Sequence, residues 1–291
     1  MRKVFCTLFV ALALAGCERA PEPAAAAEPT AAASRLDAVL AAQPEDAQAR
    51  YMHRNPKETL EFFGIEPGMT VVEALPGGEW YSKILAQYLG ADGRLIGANY
   101  AHSIWPKFGF FDDAFIETMR TWATDWPQSA DEWRGENGAA VAAFDFGSMP
   151  DGLEGQADAV LLIRALHNLA RFESDGGYLT TALADVHRVL KPGGIVGVVQ
   201  HEARPDMPDA WANGARGYLK RQFVIDRMAE AGFEFVDASE INQNPNDQPT
   251  TDDIVWRLSP TLATSRDDPE LRERLQATGE SNRMTLLFRK R

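Results

Sequence analysis

Four stretches of this 291-residue chain bring together residue types suited to chemistry. Arg164-Ala165-Leu166-His167-Asn168 places a guanidinium, an imidazole and an amide directly after the apolar run Ala157 to Ile163. His201-Glu202 follows a second such run, Ile195 to Val199. An unperturbed imidazole titrates near pH 6.5, so either histidine suits removal of a proton from an acceptor oxygen or nitrogen. His167 and His201 together make a pair of bases. With a third ligand they would make a metal site, but no metal is assigned. Glu73 closes the run Thr70-Val71-Val72 and is followed by Pro76-Gly77-Gly78. Glycines without Cβ let backbone approach a ligand, and a helix after them aims free N–H groups and a partial positive charge at it. Asp145-Phe146 ends a further apolar run. Three of these stretches also have a purely structural reading: a strand-to-helix turn at Gly77-Gly78, a strand-end aspartate, and His167 with Asn168 tying down loop backbone.

The elements that must position these residues follow from periodicity. Strands are predicted at Thr70 onward, Arg94 to Asn99, Val141 to Phe146, Ala157 to Ile163, Ile195 to Val199, Phe233 to Asp237, and around Met284, Leu286 and Phe288. Between them Tyr81, Leu85 and Tyr88 recur at helical spacing, as do Leu179, Leu183, Val186 and Leu190, and then Val224, Met228 and Ala231. Asn55-Pro56-Lys57-Glu58 reads as a capped helix start with Leu60 and Phe63 facing inward. One helix is expected from about Asp113 to Ala123, with Phe115, Met119 and Trp122 on a shared face, and a short one around Pro269 to Gln276. The aromatic-rich segment 101–140 serves either core packing or a lid over an apolar ligand. Strands alternating with helices predict a parallel sheet whose carboxyl ends carry the site. The last two strands, joined without a crossover helix, should be antiparallel.

These residues resemble a known family. The stretch TVVEALPGGEWYSKILAQYLG, Thr70 to Gly90, is similar to the first motif of class I S-adenosylmethionine-dependent methyltransferases. HRVLKPGGIVGVV resembles the helix, turn and strand that follow the family's fourth strand. Arg54 to Tyr81 closely resembles the opening of a group of exported predicted bacterial methyltransferases. Leu75 stands where the family's first glycine is usual, Glu79 where a third would be, and Asn99 where an acidic residue grips the ribose hydroxyls. The resemblance implies an α/β fold, a Rossmann-like three-layer sandwich with a seven-stranded, mostly parallel sheet and an antiparallel terminal strand. It also implies S-adenosylmethionine as cofactor, held by Glu73, Gly77, Gly78, Asn99, Asp145 and Phe146. Arg164, His167 and His201 would orient or deprotonate a small-molecule acceptor.

The amino terminus points to export. Arg2 and Lys3 precede the apolar run Val4 to Ala15, too short for a lasting membrane span, and Leu14-Ala15-Gly16-Cys17 resembles a bacterial lipoprotein cleavage box. Residues 1–16 are thus expected to be a signal, 17–34 an Ala/Pro/Glu-rich tether and 35–291 the folded domain. The anchor would be lipid on Cys17, facing the periplasm from the outer membrane rather than the inner, since Glu18 is not the retention aspartate. With Cys6 and Cys17 so accounted for, the domain has no cysteine nucleophile or cysteine metal ligand. The formal net charge of −13 argues against nucleic acid as a partner and against electrostatic docking on anionic lipid, leaving the acyl chains as the membrane contact.

Overall fold

A computed structural model describes Met1 and residues 30–291. The signal, the Cys17 box and most of the tether lie outside the described residues. The tether's last residues are helical: Thr30 caps helix Ala31–Ala41 by accepting from the Ala33 N–H, so ordered chain begins before residue 35. Among the described residues no helix is long and apolar enough to cross a membrane.

Seven strands form one sheet: β1 (Thr70–Ala74), β2 (Arg94–Asn99), β3 (Ala140–Asp145), β4 (Ala157–Ile163), β5 (Leu190–His201), β6 (Phe233–Ser239) and β7 (Arg283–Lys290). Their spatial order is β3-β2-β1-β4-β5-β7-β6. Neighbours from β3 through β5 are parallel. β7 runs antiparallel to both β5 and β6, so the last strand of the chain lies inside the sheet. β2 and β4 coincide with their predicted spans. β3 starts and ends one residue early, leaving Phe146 just beyond it, and β5 extends over Lys191 to Gly194, expected as turn.

Alternation along the strands builds two cores. Val72, Ala74, Ile96, Ala98, Val160 and Leu162 face helix Tyr178–Val189 through Leu179, Leu183 and Val186, and helix Arg221–Glu230 through Val224 and Met228. Val71, Leu95, Ala159 and Leu161 face Ile84, Leu85 and Leu89 of helix Trp80–Leu89, in one cluster with Leu36, Leu60 and Phe63, whose ring lies on Gly197 of β5. Burying apolar side chains on both faces accounts for the near-continuous hydrophobic runs of the central strands.

Two expectations fail for physical reasons. The single helix over 113–123 is two helices, Asp113–Thr118 and Trp122–Ser129, because its apolar residues serve opposite sides of the sheet. Met119 joins the first core, whereas Trp122 and Trp126 lie on the second. A Cβ at Gly97 of β2 would meet the Trp126 and Trp122 rings at 2.7 and 2.9 Å, which explains a glycine in mid-strand. Asn55 does not cap helix Pro56–Phe62: its backbone is left-handed (φ 41°) and its Nδ2 donates to the Ile241 carbonyl at 2.7 Å.

Candidate active site

The β1 turn carries the first half of the site. Glu73 is buried at the end of β1, where its Oε2 accepts a 2.6 Å hydrogen bond from Ser82 Oγ in the first turn of helix Trp80–Leu89. Burial pushes its carboxyl up to about 7, against the pull of Ser82. Gly77 adopts φ 57°, and so do its non-glycine neighbours in kind: Leu75 at 56° and Glu79 at 58°. The two positions that depart from the family's glycine pattern therefore keep the left-handed backbone that glycine would favour. That conformation costs an ordinary residue about 1–2 kcal/mol. Glu79→Gly should relieve it, offset by about 0.4–1 kcal/mol of added freedom in the unfolded chain. The expected result is a net gain of up to about 1 kcal/mol in urea unfolding. A loss of stability would mean that the Glu79 side chain matters more to the turn than its backbone.

At the neighbouring strand ends Asn99 pairs with Asp145 across β2 and β3. Asn99 Oδ1 accepts from the Tyr100 N–H at 2.8 Å, so its amide NH2 is the group left for a ligand. Asp145 and Phe146 line a cavity of about 320 Å³ with His102, Ser103 and Tyr178. Asp145 Oδ1 is buried there without a partner, and burial raises the carboxyl to about 6.

The second half of the site lies at the ends of β4 and β5. Arg164 takes a left-handed backbone (φ 55°) and turns the chain out of β4 into helix Leu166–Arg171. His167 and His201 are both buried, with ring centroids 5.4 Å apart. His167 Nδ1 lies 3.3 Å from Gln200 Oε1. Gln200 spends its NH2 on the Gly217 and His201 carbonyls at 3.0 and 3.4 Å, so its oxygen must face the histidine. Nδ1 then carries the proton, and Nε2 presents a lone pair. Burial draws the His167 pKa down to about 4, leaving the ring neutral at pH 7. His201, 2.5 Å from Ser281 Oγ through Nδ1, is likewise driven well below its ordinary value, by burial first and by His167 next. Glu202, expected in the same crevice, turns away to Arg221 at 2.8 and 3.1 Å.

A second cavity, of about 120 Å³, is lined by Arg164, His201, Trp256 and Ser281, among others. Neither cavity is lined by Glu73, Gly77, Gly78 or Asn99. Tyr100 lies between the two halves. Its Oη accepts from Asn168 Nδ2 at 2.9 Å. Tyr100 follows β2, Asn168 follows β4, and β1 runs between those strands, so this bond passes over the carboxyl end of β1. Trp105 and Phe108 pack on Tyr100 at 5.2 and 5.6 Å, and Phe172 packs on Phe108. The aromatic segment thus divides between the two cores: Trp122, Trp126 and Trp133 pack on the second, while Trp105, Phe108 and Phe111 pack with Tyr100 on the first. Sequence reading did not single out Tyr100, Ser82, Gln200, Ser281 or Trp256. For Tyr100 the available signal was its position, immediately after a strand-ending polar residue.

Among solved structures, the crystal structure of the [4+2]-cyclase SpnF aligns with a TM-score of 0.51 at 16% identity, over 82% of this chain and 80% of that one. The fold is that of the class I methyltransferases. The strand order with its reversed seventh strand carries that assignment, as the sequence resemblance implied. A SAM-dependent methyltransferase from Aquifex aeolicus aligns more loosely, with a TM-score of 0.47, 17% identity and coverage of 72% of this chain and 93% of that one. So does the 1,6-didemethyltoxoflavin-N1-methyltransferase of Burkholderia thailandensis, solved with its substrate and S-adenosylhomocysteine (TM-score 0.42, 17% identity, 91% and 93% coverage). No family model matches the sequence, and no curated protein does. At such identities the likeness concerns fold, and chemistry has to be argued from the residues.

Proposed function

We propose that the protein is an exported, lipid-anchored methyltransferase that uses S-adenosylmethionine and acts on a small-molecule acceptor in the cell envelope. The observation that carries this reading is the acid-tipped β1 with its left-handed turn, set in this sheet order two strands from the buried, unpartnered Asp145 Oδ1 at the end of β3. The residues suit the cofactor. Asp145 offers an acceptor to an adenine amino group, and Phe146 would lie beside the ring. The Asn99 amide would meet a ribose hydroxyl, and Gly77 and Gly78 would let the backbone approach the methionine end. Glu73, held near the middle of its titration at neutral pH, gains its full charge when a cationic ligand settles beside it.

S-adenosylmethionine supplies an electrophilic methyl group when bound. The chain's own residues align the acceptor, which provides most of the acceleration in such a displacement. His167 Nε2 takes the proton of a hydroxyl or amine acceptor, with the Nδ1 proton held on Gln200. Arg164 and His201, which line the smaller cavity next to His167, orient the acceptor.

A second reading keeps the fold for a SAM-independent reaction or another ligand. It is favoured by the Tyr100–Asn168 bond across the end of β1 and by the predicted export of the domain away from the cytoplasm, where the cofactor is made. That a cyclase aligns over most of this chain illustrates how widely such a fold can be used. Calorimetry separates the two. Methyl transfer predicts micromolar binding of S-adenosylmethionine and S-adenosylhomocysteine by the purified protein, lost in Glu73→Ala. Absent or millimolar binding to the wild-type protein would leave only the second reading.

A further inference from the structure

The arginines behind the His167–His201 pair outnumber their carboxylates. Glu280, buried just before β7, is shared by three of them. Its Oε1 accepts from Arg50 Nε at 2.9 Å and Arg54 Nε at 3.2 Å, and its Oε2 from Arg283 Nη1 at 3.2 Å. Arg54 and Arg283 are each only 3% exposed. Arg164 belongs to the same electrostatic group, yet among the described residues no carboxylate lies within 4.0 Å of it. The nearby acids are committed elsewhere: Glu73 is held by Ser82 and pushed towards its neutral form, and Asp247 is paired with Arg257 at 2.7 Å. Three guanidinium nitrogens, Arg54 Nη1, Arg164 Nε and Arg283 Nε, are buried without an acceptor.

Burial and mutual repulsion lower Arg54 to about 9 and Arg164 to about 10, values that still leave both charged at pH 7. Uncompensated charge in a protein interior is strongly disfavoured. The cluster therefore favours an additional anion. The 120 Å³ cavity is where one fits: Arg164 and Ser281 supply donors, Trp256 gives an apolar wall, Glu280 also lines it but has its oxygens turned to Arg50, Arg54 and Arg283, and the space holds several waters' worth of volume. A guanidinium fork matches a carboxylate or phosphate in geometry as well as charge.

We propose that this cavity binds an anionic group of the acceptor, so that the substrate is an acidic small molecule whose carboxylate or phosphate docks on Arg164. The word acceptor rests on the methyltransferase reading, but the anion site does not. Calorimetric titration with inorganic phosphate and with acetate, in the absence of any nucleoside, tests the site directly. Saturable binding is expected, weakened about tenfold or more in Arg164→Gln, as for loss of a charge-assisted hydrogen bond. The Arg188→Gln variant, at the opposite, amino end of β4 where Arg188 pairs with Asp151, should bind as the wild type does. If Arg164→Gln fails to fold, Ser281→Ala tests the same cavity and should weaken binding by a smaller factor. The absence of saturable binding to wild type, or equal binding by Arg164→Gln, would overturn the proposal. A repeat in saturating S-adenosylhomocysteine identifies the source of the anion. Undiminished phosphate binding supports an acceptor site, whereas competitive loss would assign the cavity to the nucleoside's own carboxylate and overturn the acceptor claim. Should S-adenosylhomocysteine fail to bind while phosphate does, the methyltransferase reading falls and an anion-binding cavity remains.

Discussion

Asp247→Ala is expected to lose about 3–5 kcal/mol of stability, the scale for breaking a buried ion pair by removing one partner. Asp247 is buried and accepts from Arg257 Nη2 at 2.7 Å, Tyr218 Oη at 3.0 Å and the Asn282 N–H at 2.9 Å. Arg257 Nη1 in turn donates to Tyr218 Oη at 2.8 Å. This network ties the polar segment between β6 and β7 to the chain that leaves β5, and so holds Trp256 and Ser281 against the histidines. The alanine variant leaves Tyr218 Oη and the Asn282 N–H without their acceptor in the interior, and Arg257 with only the partly exposed Asp253 at 3.2 Å as a charged partner. Urea unfolding measures the loss. A change under about 1 kcal/mol would place the network among interactions of surface strength.

The second large effect concerns His167 and acid. A histidine whose folded pKa lies below its unfolded value contributes stability that is present above about pH 6.5 and lost as pH falls through its folded pKa. For His167 that window runs from about 6.5 down to about 4, and the displacement corresponds to roughly 3 kcal/mol. Glu73 has the opposite sign: its raised pKa favours the fold at low pH and loses that advantage as pH rises through about 7. The wild-type curve alone mixes the two effects. The difference between wild type and His167→Gln removes the shared Glu73 contribution. Measured by urea unfolding from pH 7 to pH 4, that difference should move by roughly 3 kcal/mol in favour of the variant. Parallel curves would mean that His167 titrates in the fold as it does in the unfolded chain, and its role as a buried neutral base would go with them.

Much of the architecture could be read from the chain because the central strands are buried on both faces. Ala157–Ile163 and Arg94–Asn99 are apolar runs with polar or turn residues at their edges, and β4 and β2 begin and end where those runs do. The Glu73 turn was legible for the same reason, as a strand, a glycine pair and a helix in local succession. What escaped depends on contacts that spacing does not encode. Met119 and Trp122 share a helical phase but are claimed by opposite faces of the sheet, so the helix breaks between them. Asn55 carries a strong local capping signal, overridden by a hydrogen bond to Ile241, far along the chain. Glu280 gathers Arg50 and Arg54 from more than two hundred residues away. Glu202 looked like a crevice residue by position alone, until Arg221 proved to hold it.

The Tyr100–Asn168 bond also fixes how occupancy of the Glu73 turn can be observed. A ligand settling over the carboxyl end of β1 would meet that pair, and Tyr100 stands edge-on to the buried Trp105 at 5.2 Å. Displacing the phenol changes the surroundings of an indole, so the crevice carries a built-in optical probe. A ligand-dependent shift in tryptophan emission that disappears in Trp105→Phe would report entry without any knowledge of the reaction that follows.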